Sequence, residues 1–341
     1  MGRVSRYALK RLAMVPVGVV VIATLAFALI NLLPGDPARV IAGPLASDTE
    51  VATIRARLGL NLPFFSRYAH FMNQLAHGSL GSSYYTATPI THDIRLFLPS
   101  TLELVILAVC VASIIGVALG SLGSYFERRA PDRAVRTFIV LAQSIPDFFL
   151  GLLLIYVLFF LLHVAPAPVG QLGFFDQPPP RVTGSIMVDA ALAGQWGVLW
   201  TAVQHAFLPV LALGIFLSAF VAKISRAVLV EALQSDHTEF ARACGLPERT
   251  VLSYAGKAAR VPIITYVGLL LATLTGGAAI VETVFAWNGA GQWAVNSILR
   301  LDVPAIQGFI VVVGLVTLFV FIGIDLLVLA LDPRVTYKED R

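Results

Sequence analysis

Four acidic residues stand inside or at the ends of long apolar runs of this chain: Glu103, Asp147, Glu282 and Asp325. An ionised carboxylate at membrane depth is expensive, so a chain that keeps one there uses it to pair with another group, to line a water path or to relay an ion. Asp147 follows Pro146 in the stretch Gln143-Ser144-Ile145-Pro146-Asp147. The proline removes a helical hydrogen bond and predicts a kink, which turns Asp147 into a bundle or a water path. Asp147, Gln143 and Glu282 are the candidate pathway residues, with a structural hydrogen bond or helix contact as the plainer reading. Glu103 and Glu282 fall near the ends of their runs, where an interfacial position suits them. His205, four residues before Pro209, reads as a satisfied cap residue. A proton relay through Asp325 needs partners on neighbouring helices, and the sequence shows none clearly. Asp147 and Asp325 together define the rival reading, a stand-alone secondary carrier or channel.

Other chemistry is poorly represented. No GxxxxGK[ST] phosphate loop occurs, so the chain does not hydrolyse ATP by that route. No His and Cys spacing suits a metal, no nucleophile sits beside a base, and no cofactor is expected. The two cysteines, Cys110 in an apolar run and Cys244 in a polar stretch, do not make a disulfide framework. Cys110 reads as packing. The composition is 57% hydrophobic and 13% charged, with a mean hydropathy of +0.83. A soluble globule carries about 45–50% apolar residues, so this is an integral, all-α membrane protein. The net charge of +4 is spread over short loops and gathers on no nucleic-acid-binding face.

The back half holds one polar island, residues 228–260, which includes Glu231-Ala-Leu-Gln-Ser-Asp-His-Thr-Glu-Phe-Ala-Arg-Ala-Cys-Gly-Leu-Pro-Glu-Arg-Thr250. Its spacing predicts two short helical segments hinged at Gly245-Leu246-Pro247. Glycine can take the positive φ that ends a helix, and proline suits the start of the next. Leu229, Leu233, Phe240 and Cys244 fall near one face at helical spacing, and Glu231, Asp236, Glu239 and Arg242 fall elsewhere. Such an apolar stripe lacks a partner within the loop. It either docks on something in the cytosol or lies on the lipid surface.

Six apolar runs, each long enough to cross the hydrocarbon core, frame this island: Leu12 to Leu33, Thr101 to Tyr125, Val135 to His163, Ala206 to Val228, Ile263 to Val284 and Ile306 to Leu331. The first follows Arg3, Arg6, Lys10 and Arg11 and is longer than a signal-peptide core, so it reads as a retained anchor. With cytosolic termini, 17 of the 24 Lys and Arg lie on the island's side and seven on the other. Basic residues concentrate in cytoplasmic loops, so both termini and the island are expected inside. The outer segments, Pro34 to Ser100, Val164 to His205 and Phe285 to Ala305, are expected to form a cap. Its Gln-Trp-Gly-Val-Leu-Trp and Trp-Asn-Gly-Ala-Gly-Gln-Trp stretches read as interfacial anchors. Gly276-Gly277 reads as a close helix approach. The two halves show no inverted repeat and the spans few charges, so energy is expected from outside the chain.

Five stretches, in order, resemble the inner-membrane permease subunits of peptide-type ATP-binding-cassette importers, the DppB/OppB class, which includes nickel and glutathione permeases. They are RLAMVPVGVVVIATLAFALINLLPGDPA, LGLNLPFFSRYAHFMNQLAHGSLGSSYYTATPITHDIRLFLPSTLEL, SIPDFFLG, VETVFAWNGAGQWAVNSI and LDVPAIQGFIVV. The resemblance implies six transmembrane helices in the MetI-like fold of type I importers. It implies residues 1–98 as an N-terminal helix with an extracytoplasmic segment, 99–331 as the permease domain with a coupling loop at 228–260, and 332–341 as a cytoplasmic tail. In that family the coupling loop seats a short helix in an ATPase groove, a role carried onto Glu231, Ala232, Asp236, Phe240, Ala241, Arg242, Ala243, Gly245 and Leu246. The implied partners are a second permease of the DppC/OppC kind, two cytosolic ATP-binding subunits and an extracytoplasmic solute-binding protein. This chain departs from the family pattern at Tyr254–Pro262, which lacks a usual His and Asn, and at Asn288, where the family has Pro.

Overall fold

The computed structural model describes residues 13–31 and 35–331. The flanking basic residues Arg3, Arg6, Lys10, Arg11, Arg334, Lys338 and Arg341, and the tail 332–341, lie outside the described residues. So do both ends of the first apolar run. Among the described residues the regular elements are helices, joined by one isolated bridge between Ser82 and Pro89.

Every apolar run has its helix, but the boundaries move. Helix α1 (Val15–Asn31) is followed by three short helices, α2 (Pro37–Ala42), α3 (Asp48–Arg57) and the amphipathic α4 (Phe64–Ala76). The second run is part of α5 (Ile90–Tyr125), which starts earlier than expected and continues through Pro99. The third splits into α6 (Ala130–Ser144) and α7 (Asp147–Leu154), the latter running on as a wide π turn over Ile155–Leu161. The two halves bend by 98° at Ile145-Pro146, where both residues are extended. After α8 (Ile186–Leu192), the fourth run becomes α9 (Trp196–Leu233), which takes in His205 and Pro209 as interior residues. Then come α10 (Asp236–Ala243), α11 (Glu248–Gly277, with Pro262 inside), α12 (Ala279–Val284), α13 (Ala290–Leu299) and α14 (Val303–Leu331). Pro99, Pro209 and Pro262 all lie inside their helices, Pro209 buried, Pro99 partly buried and Pro262 exposed.

Four of these helices, α5, α9, α11 and α14, are long and apolar enough to cross a membrane; α6 with α7 makes a fifth if the bent pair counts as one span, and α1 is a shorter apolar helix. The most extensive pairing is α5 with α9, side by side and in the same direction. Lipid is as apolar as leucine, so burial alone does not drive helices together there, and close van der Waals approach does. Glycines supply that approach. A Cβ on Gly116 would stand 2.5 Å from Val221 Cβ and 2.8 Å from the Ser218 carbonyl oxygen. One on Gly120 would stand 2.5 Å from Ser225 Cβ, and one on Gly214 would stand 2.8 Å from Val111 Cγ1. Leu104, Val105, Ala108, Leu208, Leu213 and Leu217 fill the seam, and Val281, Phe285 and Trp287 close it at one end.

Around this pair, α1 lies on α14 through Ala23, Ala26, Phe27 and Val311, with Phe71 of α4 covering them. Helix α11 packs on α14 where Gly268 admits Ile324, and Gly276 approaches Val313. Cys110 is not packing: it is exposed on the outer face of α5, beside exposed Ile106 and Ile114.

Two glycines separate seam from surface and offer a test. Gly120→Ala should destabilise the bundle by about 1–3 kcal/mol, the usual cost of overpacking. Gly256→Ala in α11, where the added Cβ meets nothing within 4 Å, should be neutral or gain up to about 1 kcal/mol. Denaturant titrations in detergent check the pair; equal effects would contradict the seam.

Candidate functional site: a docking hairpin and an outer cap

The island folds as the turn between the two long helices α9 and α11. The last carbonyls of α9 have no helical partners, and the hairpin supplies them. Ser235 Oγ donates to the Ala232 carbonyl at 2.6 Å. The fully buried Thr238 hydroxyl sits 2.8–3.1 Å from the carbonyl oxygens of Ala232, Leu233 and Ser235, among which it shares its one proton. Arg242 donates through Nη1 to the Leu233 carbonyl at 3.0 Å and through Nη2 to Glu248 Oε1 at 3.1 Å. One guanidinium thus ties the end of α9 to the first turn of α11, with α10 held between them.

Helix α10 ends as the sequence predicts. Gly245 has φ +75°, its N–H donates to the Arg242 carbonyl at 2.9 Å, and Leu246 N–H reaches back to the Ala241 carbonyl at 3.2 Å. This is the paired-bond glycine stop of a helix. Pro247 stands just before α11. Asp236 and Glu239 occupy the first turn of α10 and Arg242 the last, as the helix dipole favours.

The nine residues assigned to coupling divide by role. Ala232 and Ala241 are buried and pack the hairpin, Arg242 clamps it and Gly245 turns it. Glu231, Asp236, Phe240, Ala243 and Leu246 face outward, with the Phe240 ring 71% exposed. The expected stripe is not continuous. Leu229 and Leu233 are half-buried on α9, whereas Phe240 and Cys244 are exposed beyond the break at Gln234-Ser235. The outward apolar patch is therefore Phe240, Ala243, Cys244 and Leu246, edged by Asp236 and Glu239. Sequence reasoning missed Thr238, Glu248 and the bond from Gln234 to Glu127 in the turn after α5, 2.9 Å.

The opposite end of the bundle carries a folded cap made from all three expected outer segments. Glu282, fully buried, accepts Thr101 Oγ1 at 2.6 Å and Gln292 N–H at 2.8 Å, while Thr101 Oγ1 accepts Ala290 N–H. Gly289 and Gly291 leave the space this carboxylate occupies; a Cβ on either would stand within 3 Å of it. Trp287 is fully buried rather than an interfacial anchor, its indole N–H donating to the Ser100 carbonyl at 2.8 Å. Trp196 and Trp200 are exposed, as an interface requires. Asp302 holds the 83–84 turn through Ser83 and Tyr84 N–H, and Glu103 receives Ser185. Asn288 has φ +61° and donates its N–H to Gln292, neither of which a proline can do. The departure from the family pattern thus has a local cause in the backbone.

Of the candidate pathway residues, Glu282 belongs to this cap, whereas Gln143 and Asp147 flank the 98° bend. Both are half-buried; Gln143 Nε2 has no partner, and Asp147 accepts the Phe148 N–H at 2.7 Å. Asp325 lies partly buried on α14.

A bundle of long apolar helices with a clamped, outward-facing helix at one end and a polar-bonded cap at the other is the architecture of a multi-span membrane protein. The chain belongs to the family of binding-protein-dependent transport system inner membrane components: residues 95–337 match that family, and residues 4–105 match its N-terminal region. It is similar to the probable D,D-dipeptide transport system permease protein DdpB of Escherichia coli (strain K12), 42% identical over 325 residues, covering 95% of this chain and 94% of that one. It is also similar to the dipeptide permease DppB of Alkalihalophilus pseudofirmus, 33% identical over 337 residues and covering 97% and 99%. The glutathione permease GsiC of Escherichia coli O6:H1 is 33% identical over 333 residues, again covering 97% and 99%. The chain is thus a non-catalytic, inner-membrane component of such a system.

Two predictions follow from the geometry. Arg242→Ala should change global stability by less than about 1 kcal/mol, because the ion pair is exposed, yet loosen α10; a spin label at Phe240 should sharpen its spectrum. An unchanged spectrum would contradict the clamp. In the cap, burial pushes the Asp189 carboxyl up, but the Thr183, Gly184 and Val182 N–H groups and the Thr183 hydroxyl more than reverse this and hold it below the usual range. A folded value below the unfolded one means stabilisation that is full above about pH 3.9 and disappears as pH falls through the folded value. Exchange protection of amides 182–184 should therefore persist at neutral pH and collapse on acidification, and Asp189→Asn should weaken it at neutral pH and remove its pH dependence.

Proposed function

We propose that this chain is the membrane-spanning permease of an ATP-driven importer of di- or oligopeptides, energised from the cytosol through the α10 hairpin. The observation that carries the proposal is the exposed Phe240 patch on a helix fixed rigidly to both α9 and α11. An exposed aromatic ringed by carboxylates is the form of an interface anchor. A rigid mount lets a push on it move the two long helices rather than the loop alone. Two ATP-binding subunits are the partners at this end, and the folded cap at the other end receives the solute-binding protein. The termini then lie in the cytosol, in keeping with the excess of Lys and Arg on the hairpin side.

The exposed apolar faces of α5, α6 and α7, among them Ile106, Ile114, Val140, Leu141 and Phe149, are covered by lipid and by a second, related permease, with the pathway between the two. Residues 1–98 supply α1 and most of the outer segment, 99–331 the permease domain, and 332–341 the tail. ATP binding closes the ATPase pair, the hairpins follow, and the two bundles rock between inward-open and outward-open states. Asp147 and Gln143, at the bend, are the pathway candidates; Glu282 shapes the mouth from within the cap. Peptide as cargo is supported by the names of the relatives, and the identity of 42% to a D,D-dipeptide permease favours short peptides.

The assembled transporter in proteoliposomes tests this reading. Within this chain a side chain at Gly245 meets nothing within 4 Å, so Gly245→Ala bears only the positive-φ cost of about 1–2 kcal/mol and should retain most uptake. Gly245→Trp and Asp236→Lys should insert normally and lose peptide uptake, since their bulk and charge meet the docked subunit. Full uptake by both, or uptake driven by an ion gradient without ATPases, would instead support the carrier that uses Asp147 and Asp325.

A further inference from the structure

The buried acids divide unevenly between the two ends of the bundle. Among the described residues, Asp93, Glu103, Asp189, Glu282 and Asp302 are all buried at the cap end, and Asp132 alone is buried at the hairpin end. Asp132 sits in the first turn of α6 with its carboxylate fully enclosed. It accepts Arg226 Nε at 2.5 Å and Nη2 at 3.0 Å, a two-pronged grip from α9. The Arg128 N–H donates to it at 2.9 Å, and Arg136 Nη2 stands 3.3 Å away. Gly123 of α5 makes room for the pair: a Cβ there would lie 3.3 Å from Arg226 Cδ and 3.5 Å from Asp132 Oδ1.

Position gives this pair its meaning. Arg226 precedes the end of α9 by about two turns, roughly 10 Å at 1.5 Å per residue, and the hairpin is clamped to that end. Asp132 begins the helix that leads to the break at Ile145-Pro146. The Gln234–Glu127 bond adds a second strap between the same segments. A buried ion pair is a poor source of stability, since apolar residues of similar size often do as well. A bidentate charged grip does something that apolar contact does not: it fixes two atoms of one helix against another and resists sliding.

We propose that Asp132 and Arg226 form the positioning joint through which displacement of the docking hairpin moves the bent α6–α7 span. The joint rests on the coupling role assigned to the hairpin above. The test uses the complete transporter in proteoliposomes and compares Asp132→Asn, Arg226→Met, Arg226→Lys and the double variant Asp132→Asn/Arg226→Met. The double variant leaves no unpaired buried charge, so it keeps the question open to measurement if a single variant fails to fold. Three quantities are read: ATPase subunits retained on affinity purification, peptide taken up per ATP hydrolysed, and thermal stability. The expected result is retained ATPases and near-normal stability in the double variant, with uptake per ATP reduced at least about tenfold, inside the 5- to 150-fold span of ordinary coupling energies. Arg226→Lys should lie between it and the unmodified chain. Unchanged uptake per ATP in the double variant would overturn the joint while leaving the docking reading intact. Loss of the ATPase subunits on Gly245→Trp, with Asp132 and Arg226 unchanged, supports the docking reading, and their full retention overturns it, independently of the joint.

Discussion

The contact between α5 and α9 sets the terms for everything else in this molecule. In a bilayer, two apolar helices gain little by merely touching, because lipid offers each the same surroundings. They adhere here because Gly116, Gly120 and Gly214 remove the side chains that would hold them apart. Helix α9 is thereby the most enclosed span and the natural beam of the structure. One end runs into the cap, where His205 and Pro209 lie among buried neighbours, and the other runs directly into the α10 hairpin.

The two ends of that beam are built differently. At the cap, buried carboxylates collect backbone N–H groups and hydroxyls from distant segments, so that residues as far apart as Thr101 and Glu282 share hydrogen bonds. Left-handed backbone at Ala286, Asn288 and Leu301 marks how tightly those turns are drawn. At the hairpin, polar groups are spent on closing the ends of helices, and the outward surface is left apolar at Phe240 and Leu246. The cap is thus held by buried polar bonds, and the hairpin presents an exposed helix on a rigid mount.

Much of this was legible in the residues because the signals are local. Gly245 and Pro247 mark a helix stop and start within three positions, and the apolar runs mark the spans. The bend at Asp147 follows from Pro146 alone. Where the reading failed, the cause was tertiary. The apolar runs beginning at Thr101, Ala206 and Ile263 understate their helices, which start at Ile90, Trp196 and Glu248, because the added turns are polar in sequence and apolarity alone does not mark them. Trp287 reads as an interfacial ring, yet it is buried in the core that closes the α5–α9 seam, with its N–H on the Ser100 carbonyl. The stripe from Leu229 to Cys244 assumed an unbroken helix, and the chain breaks at Ser235. Asp132 and Arg226 give no sign at all, because each stands among other basic and acidic loop residues and they meet only when α6 folds onto α9.

Cys244 lies exposed at the end of α10, and Cys110 is the other cysteine of the chain. A Cys110→Ala chain therefore carries a single reporter on the docking surface. Labelling Cys244 with a membrane-impermeant maleimide, in vesicles of either orientation and with or without the ATP-binding subunits, tests the central claim most directly. The account predicts labelling only from the cytosolic side and protection when the ATP-binding subunits are added. Labelling from the opposite side, or labelling that those subunits leave unchanged, would contradict it.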